Sequence, residues 1–252
     1  MNRALDVTSS VLASTVRIWR GTVASKKVLL PAKRPVLFDR EGDAECRLVR
    51  EALTELNLDV DVFPIPEGGD RYLAKLKKFS GGDAIPFLYD PNTSDKHAGA
   101  EAIIAYLFRR YGEQEPPAAF KPNLINTLAS RLATGIRFGG GTRMLPSKKP
   151  KKSLTLYSFE SSPFSRIVRE KLSELQIPYT LVNLGKQQRS DMGPPNARWT
   201  LSKYQPLPNT KRDEFFKIHG DVQIPYMEDP NTGKTMFESV AIVNYLMNEY
   251  GL

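Results

Sequence analysis

The chain has 252 residues, 40% of them hydrophobic and 25% charged, with a formal net charge of +8, one cysteine and two histidines. That make-up fits an ordinary globular protein with room for one large domain or two small ones, and no stretch nears the ~18 apolar residues of a membrane span. The lone Cys46 excludes an internal disulfide, a dithiol centre and a Cys-rich metal cluster, and His97 and His219 lie too far apart in sequence to suggest zinc; no metal is expected.

From the start, residues 1–27 are poor in acids and could pass for an organelle-targeting peptide. Val16-Arg17-Ile18 and Gly21-Thr22 recur as Ile136-Arg137-Phe138 and Gly141-Thr142, so both stretches are read as a helix that leads, and belongs to, a module. Residues 35–39 form a strand, residues 45–57 a helix and residues 60–63 a second strand, an order that implies parallel pairing through a right-handed crossover. After a polar helix, a strand over 86–89, an Asp-Pro-Asn-Thr turn and a short antiparallel strand lead to a last helix over 99–111, closed by Gly112.

The same order then repeats. Leu37–Leu56 lies ungapped on Leu156–Leu175 with nine of twenty positions identical, and Ile85–Gly112 lies on Ile224–Gly251 with twelve of 28 identical. The second copy has strands over 154–158, 179–182 and 225–228 and helices over 164–176 and 238–250. About 20 extra residues fall within Gly185–Thr210, a Gly-, Pro- and Asn-containing loop. The expected organisation is α/β: two tandem thioredoxin-like βαβ-ββα domains, each preceded by a helix. Residues 1–112 form a degenerate repeat with its leading helix, 113–153 a linker with the leading helix of repeat two, and 154–252 the second repeat.

Charge follows this division. Residues 1–34 carry seven Lys/Arg against one acid and residues 113–153 eight against two, whereas residues 35–112 carry ten against fourteen and residues 154–252 eleven against eleven. The excess sits in the connectors, and Lys148–Lys152 (KKPKK) reads as a solvated linker rather than a nucleic-acid site.

The motifs of 154–252 (L-Y-S-F-x-S-S-P-F-S-R-x-V-R-E-x-L, then I-P-Y with D-P-N-T-G, then F-E-S-x-A-I-x-x-Y-L) resemble the N-terminal, glutathione-binding domain of soluble glutathione transferases, and also glutaredoxin. Residues 35–112 resemble it more weakly, and the likeness does not extend to the all-helical C-terminal domain of such transferases. The resemblance implies a glutathione-binding protein in which repeat two activates the thiol for conjugation or a related reaction. Glutathione would be the co-substrate and a small electrophile the acceptor; neither a membrane nor nucleic acid is an expected partner. Tandem proteins of this kind resemble plant and algal sequences, which implies a chloroplast location, with the cytoplasm as the alternative.

The resemblance places Ser162 at the thiol-activating position, with Ser161, Phe164 and Ser165 beside it as glutathione contacts. A helix N-terminus favours a thiolate, and a serine hydroxyl can donate to it; Ser-Pro also reads as a plain N-cap and N1 pair. Pro225 matches the family's cis-proline, which would turn the Ile224 backbone toward the cysteinyl part of glutathione. Glu238 and Ser239 match the pair that holds the γ-glutamyl group, though Glu-Ser is also a capping arrangement. Repeat one has Gly99-Ala100 there and Asp43-Ala44-Glu45-Cys46 in place of Ser162–Ser165, so it reads as a structural half with Cys46 a packed thiol. The loop residues Arg189, Arg198, Trp199, Lys203, Tyr204, Lys211 and Arg212 either complete an acceptor pocket or form a solvated basic loop. The alternative to an enzyme is a non-catalytic scaffold for a protein partner. Repeat one would then stand where a helical domain otherwise sits, which requires the copies to touch near Ser162.

Overall fold

Strands of four or five residues build the centre of each repeat, alternating in burial in all but the first, whose last three residues are all buried. In repeat one these are β1 (Val36–Asp39) and β2 (Val60–Pro64), and in repeat two β5 (Leu154–Ser158) and β6 (Tyr179–Asn183). The chain was analysed as a computed structural model, which describes residues 3–25 and 27–252. Helices α2 (Ala44–Glu55) and α6 (Pro163–Glu174) make the crossovers, and β1 pairs β2, as β5 pairs β6, in parallel. Each repeat continues through a shorter helix, α3 (Leu73–Ser80) or α7 (Lys211–His219). The hairpin β3–β4 (Phe87–Tyr89, Lys96–Ala98) or β7–β8 (Tyr226–Asp229, Lys234–Phe237) follows, and then α4 (Ala100–Tyr111) or α8 (Ser239–Tyr250).

The shared Asp-Pro-Asn-Thr turn has a structural reason. The Asp229 carboxylate accepts hydrogen bonds from the hydroxyls of Tyr245 (2.7 Å) and Tyr250 (2.5 Å), and Asp90 accepts from Tyr106 and Tyr111 in the same way. The turn is thereby pinned to the last helix, which explains why aspartate and both tyrosines recur in each copy. Burial raises the pKa of either aspartate, but the donated bonds outweigh it and hold both below the usual carboxylate range.

The two four-stranded sheets are fused. β2 pairs antiparallel with β6, giving one eight-stranded sheet in the order β4-β3-β1-β2-β6-β5-β7-β8. Asp61 faces Thr180 at the centre of that pair, with Val60 opposite Leu181 and Val62 opposite Tyr179, so a pseudo-two-fold axis passes between equivalent residues of the two copies. Pairing β2 with β6 leaves neither as an open edge, which removes the aggregation hazard of an unpaired strand.

The leading helices are α1 (Arg3–Val16) and α5 (Leu124–Gly135). Sequence reading assigns each to the module that follows it; the structure crosses them. α1 packs on α6 of repeat two, α5 packs on α2 of repeat one, and the two helices touch each other. Each binds the opposite repeat by donating hydroxyls to backbone carbonyls at the start of the covered helix, each of which has two lone pairs and so can accept more than one bond. Ser14 reaches Ser161 O at 2.7 Å and Ser130 reaches Ala44 O at 2.7 Å.

Between the crossed helices lies a buried ionic cluster on the pseudo-two-fold. Arg50 contacts Glu160 (3.0 Å) and Glu41 (3.2 Å), and Arg169 contacts Glu41 (3.0 Å) and Glu160 (2.9 Å), so each arginine bridges a glutamate of its own repeat and one of the other. Bidentate pairs flank this quartet: Arg17 with Glu51 (2.8 and 2.7 Å) and Arg137 with Glu170 (both 2.7 Å). All eight side chains are buried. The flanking glutamates Glu51 and Glu170 and the quartet arginines Arg50 and Arg169 come from the identical Val-Arg-Glu runs, so these identities are charges set in the seam between repeats.

Candidate functional site

The sheet register gathers the expected site of repeat two at one end of the sheet. Tyr157 faces Tyr226 and Tyr226 faces Phe237, so Ser158, Pro225 and Glu238 are neighbours just beyond the paired residues. Ile224-Pro225 is a cis peptide, as is Ile85-Pro86. Ser162 begins α6, four residues after Ser158.

Ser162 is the N-cap of α6: its hydroxyl accepts the Ser165 N–H at 3.3 Å, and Pro163 fills the first helical position. It is 4% exposed, and Ser161 and Ser165 are also buried, whereas Phe164 faces solvent. What covers this corner comes from repeat one's side of the chain. Ser10 donates to Pro163 O (2.9 Å), Ser14 to Ser161 O, the Ser161 N–H donates to Gly21 O (3.1 Å), and the hydroxyls of Thr22 and Ser161 are hydrogen bonded. The copies therefore touch next to Ser162. Gly21, at φ 79, makes this closeness possible: a Cβ there would stand 2.7 Å from Glu160 Cβ. Gly141 does the same against Glu41 in repeat one, where the Cβ separation would be 2.8 Å.

Glu238 and Ser239 are arranged differently. Glu238 is the N-cap of α8 with φ 70 and ψ 117, and among the described residues its exposed carboxylate is hydrogen bonded only to the Gln223 amide, at 2.5 Å. Its counterpart, Gly99, has φ 80 and ψ 153. The same left-handed backbone is thus free of strain in repeat one and strained in repeat two, since a side chain at positive φ outside the small αL region costs ~1–3 kcal/mol. Ser239 is buried in the first turn of α8, and its hydroxyl has no hydrogen-bond partner among the described residues. Ile224 is half-buried beside them.

The extra loop of repeat two is built around Asp191, which accepts the Gln187 N–H (2.9 Å) and the Tyr204 hydroxyl (2.7 Å). Burial raises the Asp191 pKa, but Arg212 and these donors hold it below the usual carboxylate range. Three of the cations expected on the loop are committed to the fold, and two of them, Lys211 and Arg212, lie in the first turn of α7 rather than in the loop. Arg198 lies 3.5 Å from the Tyr204 ring centroid and pairs with Asp221 at 2.6 Å, Arg212 donates to Leu184 O (2.8 Å), and Lys211 pairs with Asp59 at 2.6 Å. Arg189, Trp199 and Lys203 face solvent. The Arg198 bond to Val222 O (2.8 Å) ties the loop to the segment that leads into Ile224.

In repeat one, Asp43 caps α2 by accepting from Glu45 and Cys46, both at 2.9 Å. Cys46 is fully buried and its sulfur accepts the Arg40 N–H (3.4 Å); burial, and then Asp39 and Asp43, push its thiol far up. The native protein is expected to leave a thiol-reactive chromogenic disulfide unreduced and to release one equivalent of chromophore only on unfolding in denaturant. Prompt reaction of the native protein would show instead that this corner opens readily. Among the described residues, no group of three or more His, Cys, Asp or Glu could hold a metal ion.

Comparison with known proteins adds one finding. The family described as Glutathione S-transferase, N-terminal domain matches residues 37–116 and 156–252, one match on each repeat. Neither the curated proteins nor the solved structures give a match.

Proposed function

The chain belongs to the glutathione S-transferase N-terminal domain family, and on that basis we propose that its second repeat binds glutathione. The Ile224 backbone pairs with the cysteinyl residue as an added strand would. The γ-glutamyl carboxylate lies at the α8 N-terminus, on its free N–H groups and the unpartnered Ser239 hydroxyl. Glu238 faces the ammonium and exchanges its Gln223 contact for it. Arg198 holds the approach to Ile224 in place through Val222.

One observation carries this reading: Glu238 keeps a strained backbone that repeat one relieves with Gly99. A carboxylate held at such a cost is explained by a ligand and not by capping, because its side chain makes no cap hydrogen bond. With glutathione seated there, the α6 N-terminus is the positive end that faces the thiol. Ser162 then donates its hydroxyl hydrogen, which the Ser165 contact leaves free, to the sulfur, and conjugation to a small electrophile follows.

A second reading, a non-catalytic scaffold, is favoured by the cover over Ser162, because Ser10, Ser14 and Thr22 must withdraw before a thiol can reach it. Calorimetric titration separates the two. Glutathione is expected to bind the wild type, and Ser239→Ala to weaken binding by ~1–2 kcal/mol, about five- to thirtyfold. No heat at millimolar glutathione would remove the binding role and leave the scaffold.

A further inference from the structure

The leading helices are inside out. α1 turns Ser9, Ser10, Ala13 and Ser14 onto the body of the protein, and α5 turns Asn126, Ser130 and Ala133 inward. These small, mostly polar residues allow close approach to α6 and α2 and bond to backbone carbonyls there. The large apolar residues consequently point out: Leu5 and Leu12 on α1, and Leu124, Ile125, Leu128 and Leu132 on α5, are all more than half exposed. An ordinary surface helix has the opposite polarity, and large apolar side chains exposed along two touching helices mark an interaction face.

Two corners sharpen the case. Ile18 and Phe138 follow α1 and α5 at equivalent positions; both have φ 52, and they are 82% and 80% exposed. A β-branched or aromatic residue at positive φ is unfavourable, and neither side chain recovers the cost by burial. Asparagine or glycine would serve the fold better at both. Trp19, beside Ile18, is also exposed.

The charges on this face select the partner. Over residues 4–23 and 124–143 the charged side chains not buried in the seam are Arg20, Arg131 and Arg143 against Asp6, which lies 3.4 Å from Arg137. Glu55, which lines the same hollow as Ile18, Trp19 and Arg20, adds one acid. A second copy would bring like charges together across the apolar surface. Anionic lipid headgroups complement the arginines, and the acyl boundary accepts separately projecting apolar side chains without a shaped pocket.

We propose that the α1–α5 face, tipped by Ile18 and Phe138, docks on the surface of an anionic membrane. A membrane is not an expected partner from the sequence, in which no stretch is long and apolar enough for a span. No helix among the described residues is long and apolar enough to cross a bilayer, and a face lying in the headgroup region needs no span.

Vesicle flotation of the full chain tests this. Binding is expected to phosphatidylcholine vesicles containing phosphatidylglycerol, and to fall off with added salt or with phosphatidylcholine alone. Replacing Ile18→Asn together with Phe138→Asn is expected to lower vesicle affinity about a hundredfold. The melting temperature should hold or rise, since asparagine tolerates φ 52. Leu128→Gln with Leu132→Gln tests the same face without touching the corners and should also weaken binding. The proposal is overturned if the wild type ignores anionic vesicles, or if both double variants bind as it does. It is also overturned if sedimentation shows a dimer that these substitutions dissolve, which would assign the face to a second copy.

Discussion

Arg169→Met is expected to destabilise the protein by ~3–5 kcal/mol, because it leaves Glu41 and Glu160 buried with one fewer guanidinium between them. For a chain of this size that lowers the melting temperature by roughly 6–20 °C. The buried position matters as much as the pairing. Arg34 also makes an ion pair, with Asp61 at 2.9 Å, but it is half-exposed, and Arg34→Met should cost under ~1 kcal/mol. A loss at Arg169 no larger than at Arg34 would mean that the seam holds water and the charges are screened.

The quartet also sets a response to acid. Burial raises the Glu160 pKa, but Arg169, Arg50, Arg47 and Arg166 together bring it down to about 2. A depressed carboxylate contributes stability that is fully present above its unfolded pKa of ~4.3 and is lost as pH falls toward its folded value. The contribution of Glu160 is therefore lost between about pH 5 and pH 2, whereas Asp39, Glu51 and Glu170, whose pKa values burial raises, act in the opposite direction. Arg169→Met, with one cation removed, should lose the Glu160 contribution at higher pH than the wild type does.

The repeat, the strand order and both capped helix starts are legible in the sequence, because each follows from local spacing: Pro and Gly at element ends, alternation in short strands, and Asp43 or Ser162 before a helix. The fusion of the sheets is not. Val60–Pro64 and Tyr179–Asn183 read as ordinary strands, and nothing local says that their second edges meet each other. The crossing of the leading helices escapes for a related reason. An apolar stripe on α1 or α5 is normally taken as the inward face, whereas here Ser10, Ser14 and Ser130 face inward. A signal for the seam did exist: Arg47, Arg50 and Glu51 recur as Arg166, Arg169 and Glu170, on helices whose other identities are apolar or glutamate. Charges identical in both copies at spacings of three and four, amid buried positions, point to a shared ionic contact across an axis.

The candidate site divides in the same way. Sequence motifs indicate Ser162, Pro225, Glu238 and Ser239, and the sheet register brings three of their segments to one end of the sheet. The cover over Ser162 depends on Gly21 and Thr22, 140 residues away in the chain, and only the positive φ of Gly21 lets the backbone come so close. Its echo at Gly141-Thr142 marked these residues as part of a repeat without indicating what they touch.

Glu238→Gly tests the asymmetry between repeats most directly, since it gives repeat two the residue that repeat one has at that backbone position. Relief of strain at φ 70 is expected to stabilise the free protein by ~1 kcal/mol, while loss of the carboxylate removes the contact to the glutathione ammonium. Thermal melting of the wild type and of Glu238→Gly, each with and without excess glutathione, reads both effects at once. Glutathione at a hundredfold excess over its dissociation constant should stabilise the wild type by ~2.7 kcal/mol. The variant should melt higher than the wild type without ligand and respond little when glutathione is added. A variant that melts no higher, and that still shifts with glutathione as the wild type does, would contradict the assignment of the strained Glu238 to ligand binding.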